Sequence, residues 1–347
     1  MKIHFTLIAG AFGLLLLFIT SCSDTWRVSY KGDDIKTFNE KKIGIELRFE
    51  TSYGTQSAYY IFPSETGGNI PARLVIAYPG ITGLALGWLD LISDTPYSDV
   101  GFLLIEYPGR GNSQGIFRPK YLGESSSGAL KALVDHLGIS RQEITKNIVF
   151  LGHSFGCGEA LQFAAEILPK RIVLIAPFST LRRAAFRQIG PLAWIMPNMD
   201  NCERIKELCR LSSPPKIIIF HGSADETLPV SMGRDLAACS PRCVEYHEIE
   251  KAGHKDILHN ARQMIMNALL DSQEVIPPQL DGGLNVPRTF FQEHRCDRFS
   301  WPQNRGQILH VSGGSGLSIR RRWPVNTSLF HISDNGWDRR FPAVIQG

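Results

Sequence analysis

The chain has 347 residues, of which 43% are apolar and 20% charged. That is enough to bury a sizeable core and excludes both a disordered chain and a small disulfide-held scaffold. The net charge of +4 is unevenly placed: residues 1–275 carry 28 Lys and Arg against 28 Asp and Glu, so the whole excess lies in the last 72 residues. A balanced body gives no sign of a nucleic-acid groove or of an electrostatic grip on an anionic membrane surface.

At the N-terminus Lys2 supplies a positive start, Phe5 to Ile19 an apolar stretch, and Thr20 and Ser21 small residues. This layout predicts a targeting segment over residues 1–21, outside the fold. The apolar stretch is shorter than the roughly 20 residues a spanning helix needs, although a single uncleaved anchor is the alternative. Ile19-Thr20-Ser21-Cys22 resembles the lipobox of bacterial lipoproteins, in which the cysteine is lipidated and becomes the mature N-terminus. The resemblance implies a lipid anchor on Cys22. Ser23, where Asp would favour inner-membrane retention, implies an outer-membrane destination facing the periplasm if the cell is Gram-negative. Residues 22–42, polar and without periodicity, then predict a tether.

The folded domain is expected over residues 43–275. Ile43, Ile45, Leu47 and Phe49 alternate with polar neighbours, and Tyr59 to Phe62 follows across Gly54, which predicts an antiparallel hairpin with one buried face. Short continuous apolar runs come next: Leu74 to Tyr78, Phe102 to Glu106, Ile148 to Leu151, Ile172 to Ala176 and Ile217 to Phe220, with a strand-like Val244 to Ile249 after them. Runs of this kind suit strands buried on both faces. Between them Leu130, Leu133, Val134 and Leu137 recur at helical spacing, as do Leu161, Ala164, Ala165 and Leu168, and later Ile257 to Ala268. Strand and helix alternating this way specify an α/β fold, a mostly parallel sheet covered on both sides, whose ligands lie beyond the carboxyl ends of the strands. Residues 181–213, with Arg182, Arg183, Arg187, Trp194 and two prolines, interrupt the alternation and predict a short helical cap.

Seven cysteines suit an exported protein. Beside Cys22 there are two close pairs, Cys202/Cys209 and Cys239/Cys243, each either a disulfide or two buried thiols. Cys202 and Cys209 lack His or Cys at ligand spacing, and neither a metal nor a cofactor is expected. From residue 276 lysine disappears, nine arginines and three of the six tryptophans appear, and Pro277-Pro278 breaks any helix. Residues 276–347 are read as an irregular tail, either out of frame or an accessory surface segment.

Chemistry concentrates at Gly152-His153-Ser154-Phe155-Gly156, which follows one buried run and precedes a helical pattern. A serine there sits on a sharp strand-to-helix turn, with glycines where side chains would collide. A serine hydroxyl needs a base, and the base needs a third group to hold its tautomer. His254 in Ala252-Gly253-His254 and Asp225 in His221-Gly222-Ser223-Ala224-Asp225 each follow a strand run, in the chain order Ser, Asp, His. Glu226 is the rival acid; His153 and His221 are less suited as bases, one adjacent to the serine and one ending a buried strand. The N–H of Phe155 and that of Ile81, in the loop Tyr78-Pro79-Gly80-Ile81-Thr82-Gly83, are the expected oxyanion donors, because Pro79 has none.

These motifs, together with Tyr107-Pro108-Gly109-Arg110-Gly111-Asn112-Ser113, resemble the α/β-hydrolase superfamily over residues 43–272. Within it the chain is similar to short-capped bacterial lysophospholipase-like and dienelactone-hydrolase-like enzymes. Two departures stand out: Pro79 where His is common before the oxyanion glycine, and Tyr107 where the second loop commonly starts with Asp. The resemblance implies a serine hydrolase cleaving carboxylic esters through an acyl-enzyme, with a small-molecule ester as substrate. Thioesters or amides are the alternatives within the same chemistry, and a non-catalytic lipoprotein binding module is the alternative outside it. Phe117, Trp194, Ile195 and Met196 suggest an apolar entrance for lipid-like substrates; the oligomeric state is left open.

Overall fold

The computed structural model describes residues 29–30, 32–63, 70–92 and 99–270. All fall in the first of two compact units, Met1–Cys296. The targeting segment, Cys22, the tail from 276 and the second unit, Asp297–Gly347, lie outside the described residues.

Eight strands form one sheet: β1 (Gly44–Thr51), β2 (Gly54–Ile61), β3 (Arg73–Tyr78), β4 (Val100–Ile105), β5 (Ile148–His153), β6 (Arg171–Ile175), β7 (Lys216–Gly222) and β8 (Val244–Ile249). Their spatial order is β1-β2-β4-β3-β5-β6-β7-β8. The β1–β2 and β2–β4 pairings are antiparallel and the remaining five parallel. The hairpin and each apolar run therefore land where periodicity puts them, except that β2, lying between β1 and β4, is buried on both faces and not on the one expected, with Ala58 and Tyr60 in one core and Tyr59 and Ile61 in the other. Within β5, Ile148 and Phe150 enter one core and Val149 and Leu151 the other, so a strand buried on both faces needs no polar alternation.

Ten helices among the described residues are α1 (Gly32–Lys41), α2 (Leu89–Ile92), α3 (Pro119–Leu137), α4 (Arg141–Thr145), α5 (Phe155–Ile167), α6 (Leu181–Ile189), α7 (Asn201–Cys209), α8 (Val230–Cys239), α9 (Ile257–Asn260) and α10 (Arg262–Leu270). Leu130 and Leu133 of α3, Phe163 of α5, Leu208 of α7 and Leu236 of α8 fill one core. Phe38 of α1, Leu89 of α2, Leu258 of α9 and Ile265 of α10 fill the other. Local signals set the ends. Pro119 opens α3 where a missing N–H costs nothing, and Gly138 closes it at φ 64°, a conformation that favours glycine.

Three expectations need correction. Part of the predicted tether is the helix α1, anchored by Phe38, which is buried edge-on against Tyr59 at 5.4 Å. One aromatic in a polar stretch leaves no periodic trace. The final helix is interrupted at Ala261 (φ −107°, ψ 14°), giving α9 and α10. The cysteines pair across elements rather than within them: Cys202 with Cys239 and Cys209 with Cys243, at Cα separations of 5.8 and 6.2 Å. Cys202 and Cys209 stand two helical turns apart on α7, on the order of 10 Å, too far to bridge each other.

The cap region comprises α6, a 3₁₀ turn over Gly190–Ile195 and α7. Its base is pinned by a bridge between Thr180 and Asp200. Thr180 caps α6 by accepting from Arg183 N–H, and Asp200 caps α7 by accepting from Glu203 N–H.

Candidate active site

The site is built at the carboxyl edge of the parallel strands. Ser154 joins β5 to α5 at φ 55°, ψ −118°, a strained conformation for a residue with a side chain. Its N–H is held by the carbonyl of Ile175 at the end of β6, at 2.9 Å. The turn is tight enough that a Cβ at Gly152 would come within 2.6 Å of the Gly156 carbonyl, and one at Gly156 would strike the Tyr78 and Pro79 carbonyls. The flanking glycines are steric requirements of the turn.

Asp225 and His254 arrive on two loops bonded to each other. Ser223 N–H donates to Ile249 O at 2.9 Å and Ala224 N–H to Ala252 O at 3.0 Å. A side chain at Gly222 would run into the Ala252 carbonyl, so the two loops close only over glycine. His254 Nε2 lies 3.0 Å from Ser154 Oγ, and its Nδ1 lies 2.7 Å from Asp225 Oδ2. The other carboxylate oxygen, Oδ1, accepts from Thr227 N–H at 2.9 Å and Leu228 N–H at 2.8 Å. Burial would push the Asp225 carboxyl up, but hydrogen bonds from His221 and His254, the charge of His254 and the Leu228 N–H outweigh it and hold the group well below the ordinary carboxylate range.

Across from the histidine, the loop after β3 comes close to the serine. A Cβ at Gly80 would sit 3.5 Å from Ser154 Cβ and 3.3 Å from His153 Nδ1. Gly83 N–H turns the loop back onto Gly80 O at 2.9 Å. Tyr107, fully buried, donates its hydroxyl to Pro79 O at 2.7 Å. Ile81 follows Gly80 directly, and Phe155 is the first residue of α5, whose opening N–H groups have no acceptor within the helix. The two expected oxyanion donors thus lie on the two segments flanking Ser154.

The remaining predicted residues separate into three groups. Glu226 is exposed and lines an open depression of about 590 Å³ beside His254, Lys255 and Asp256, with no hydrogen bond to His254. His153 places its Nε2 2.9 Å from the backbone carbonyl of His254; burial, with the charge of His254, takes it down to about 3, so its ring stays neutral and donates. His221 is fully buried, with Nε2 2.9 Å from Leu228 O and 3.4 Å from Asp225 Oδ2. Both histidines support the two loops instead of facing the serine hydroxyl.

The apolar entrance is not assembled as expected. Phe117 packs against Tyr107 and Phe155 at 5.6 and 5.3 Å, under Arg110, while Trp194 and Ile195 stand in solvent. Among the described residues no cluster of His, Cys, Asp or Glu is placed to hold a metal ion, and no helix is long and apolar enough to cross a membrane.

Sequence reasoning missed Glu106. It is the first residue of the loop after β4, so an acid does stand at that start, one position ahead of Tyr107. It is fully buried, accepts from the Tyr30 hydroxyl and from Ala85 N–H at 3.3 Å, and burial raises it to about 7. Its only sequence signal was a charge ending an apolar run.

This strand order, with a serine elbow after β5, an acid after β7 and a histidine after β8, is the α/β-hydrolase fold. Residues 71–207 match the profile of a family described as alpha/beta hydrolase of unknown function (DUF1057). An uncharacterized protein of Mycobacterium tuberculosis is 24% identical over 213 residues, covering 61% of this chain and 73% of that protein. The human alpha/beta hydrolase domain-containing protein 17C is 28% identical over 173 residues, 48% of this chain; the match spans only 50% of that relative's length. Among solved structures, an alpha-beta hydrolase from Vibrio vulnificus superposes with a TM-score of 0.56 at 16% identity, covering 70% of this chain and 88% of that one. The esterase Pf2001 from Pyrococcus furiosus superposes at 0.51 and 15% identity, covering 71% and 95%.

Proposed function

We propose that the chain is a serine hydrolase that cleaves carboxylic esters through an acyl-enzyme. The observation that carries the reading is the relay Ser154 Oγ, His254 Nε2, His254 Nδ1 and Asp225 Oδ2, with links of 3.0 and 2.7 Å, on a serine held at positive φ. In this mechanism His254 Nε2 takes the proton of Ser154 as Oγ attacks the ester carbonyl. The tetrahedral oxyanion is received by the N–H groups of Phe155 and Ile81. Collapse expels the alkoxide, which leaves with the proton from His254. A water, deprotonated by the same nitrogen, then attacks the acyl group, and the acid departs with Ser154 restored. Asp225, kept ionised by its donors, stabilises the imidazolium and fixes the tautomer.

The test is labelling by a fluorophosphonate probe together with turnover of p-nitrophenyl esters of increasing chain length. Labelling lost in Ser154→Ala supports the reading. An unlabelled wild-type chain makes the protein a binding module, and preference for thioester or amide substrates moves the leaving group but not the triad.

Export is part of the same proposal. Two disulfides suit an oxidising compartment, and the N-terminal pattern ending at Cys22 suits a lipoprotein anchored by lipid on the periplasmic side of the outer membrane. Metabolic labelling with a palmitate analogue tests it: label lost in Cys22→Ser supports the anchor, and an unlabelled wild type leaves a single N-terminal helix as the alternative.

A further inference from the structure

The active-site reading leaves the first half of the cap without a role. No residue of α6 is buried, and in the 3₁₀ turn packed against it only Ala193 is. Four large apolar side chains stand in solvent: Trp194 at 66% exposure, Ile195 at 64%, and Phe186 and Leu192 at 48% each. A concentration of this kind marks a contact surface more often than an accident of packing. The charge of the same stretch is one-sided: residues 181–199 hold Arg182, Arg183 and Arg187 and no acid. Arg183 is paired with Asp235. Arg182 donates through Nε to Met196 O at 3.0 Å, which ties helix to turn and leaves its positive charge in place. Arg187 is exposed in the last turn of α6. The balanced charge of residues 1–275 averages this segment away.

We propose that the α6 and 3₁₀ excursion docks on an anionic phospholipid surface, with Trp194 and Ile195 entering the boundary between headgroups and acyl chains and Arg182 and Arg187 meeting lipid phosphates. Tryptophan, with an apolar ring and one N–H, favours that boundary, and arginine supplies charge attraction while its stem covers apolar surface. A second copy of the chain fits less well, because a self-complementary two-fold contact would set arginines against arginines. The position also suits the site. The excursion leaves the sheet after β6 at the same carboxyl edge as Ser154, and Met199 at its end reaches Gly158 of α5, the helix that Ser154 begins. Docking would turn that edge toward the bilayer.

The test uses the full chain on phosphatidylcholine vesicles with brominated acyl chains, with and without phosphatidylglycerol. The expected result is a quenched tryptophan component that is absent from Trp194→Phe and grows with phosphatidylglycerol. Arg187→Gln should reduce that component at fixed lipid by about fivefold, the equivalent of one arginine near an anionic surface. Ile195→Asp should remove most of it, with circular dichroism unchanged because the site is exposed. An N-terminal lipid would hold the chain on vesicles without quenching Trp194, so binding without the Trp194 component overturns the proposal. Equal quenching with and without phosphatidylglycerol also overturns it, as does a concentration-dependent dimer that shields Trp194.

Discussion

The two sides of the site are fastened by different means. On the acid–base side, the loops after β7 and β8 are bonded to each other, and two disulfides tie α7 to α8 and to the residue just before β8. On the side of the proposed oxyanion donors, the loops after β3 and β4 are held by buried polar groups: Tyr107 on Pro79, and Glu106 on Tyr30 and Ala85. Each side buries one carboxylate at the strand ends, yet the two behave oppositely. Asp225 meets two N–H groups at 2.8 and 2.9 Å and a histidine at 2.7 Å and stays ionised. Glu106 meets the Tyr30 hydroxyl, the N–H groups of Ala85 and Tyr107 and the charge of Arg110, yet burial wins, raising it to about 7. The balance between burial and the groups that stabilise the charge sets where each buried acid titrates.

The sharpest way to break the comparison is to exchange each acid for its amide. Asp225→Asn is expected to lower kcat on a p-nitrophenyl ester by about 10⁴-fold, since the amide fixes the wrong histidine tautomer. Glu106→Gln, shaped like the neutral acid, is expected to retain turnover, and so is Glu226→Gln, which points to solvent. A larger loss in Glu226→Gln than in Asp225→Asn would move the acid to Glu226.

The next effect is on stability. The disulfides close sequence separations of 37 and 34 residues, and removing either as a double serine variant should cost about 3–4 kcal/mol by loop entropy. Urea unfolding measures it. Activity should fall at urea concentrations that leave the oxyanion side folded, because α8 follows the Asp225 loop and β8 precedes the His254 loop. A wild type insensitive to reductant would mean the cysteines are not bonded in solution.

What the sequence revealed and what it hid follow this same division. The sheet was legible because runs such as Ile148 to Leu151 are apolar at every position, as a doubly covered strand requires, and are too short and too regularly alternated with helical patterns to be buried helices. Ser154, Asp225 and His254 were legible as a set because each ends a strand run, and parallel strands deliver their ends to one edge. The disulfide partners were hidden because α7 must first pack on α8 before Cys202 finds Cys239; sequence proximity favoured the wrong pairs. Tyr30, Phe38 and Glu106 were hidden for a related reason. Each is a single residue whose contact lies far along the chain, so no local period records it.

The two carboxylates also separate in pH. The folded value for Glu106, about 7, lies above its ordinary 4.5, so its contribution to stability is complete below pH 4.5 and is lost as pH rises through 7. Glu159, raised by burial to about 8, acts in the same direction. Asp225 has the opposite sign: held below its ordinary 3.8, it contributes above that value and loses its contribution as pH falls. Between pH 5 and 7, Glu106→Gln should be flatter in stability than the wild type, by at most about 1.4 kcal/mol per pH unit. Parallel profiles for the two proteins, measured by urea unfolding across that range, would show that Glu106 ionises without cost.

The smallest expected effect tests whether the hydrogen-bonded side is set as firmly as the disulfide-bonded one. Tyr107 is buried, with its ring against Phe117 and Phe155, and its hydroxyl reaches Pro79 O at 2.7 Å. Pro79 has no N–H, so its carbonyl is the one backbone group through which that residue can be hydrogen-bonded. Tyr107→Phe keeps the ring packing and removes only the hydroxyl, leaving the Pro79 carbonyl without this partner at a cost of about 1 kcal/mol. If that carbonyl sets the direction of the Gly80–Ile81 peptide, the loss falls on the oxyanion, which forms only in the transition state, and not on the bound ester. The expected result is a drop in kcat of about fivefold with KM unchanged. Fluorophosphonate labelling should slow in parallel, because the phosphonyl oxygen occupies the same position. A variant that loses stability but keeps kcat would make Tyr107 a core residue only, and a rise in KM alone would place its effect on binding.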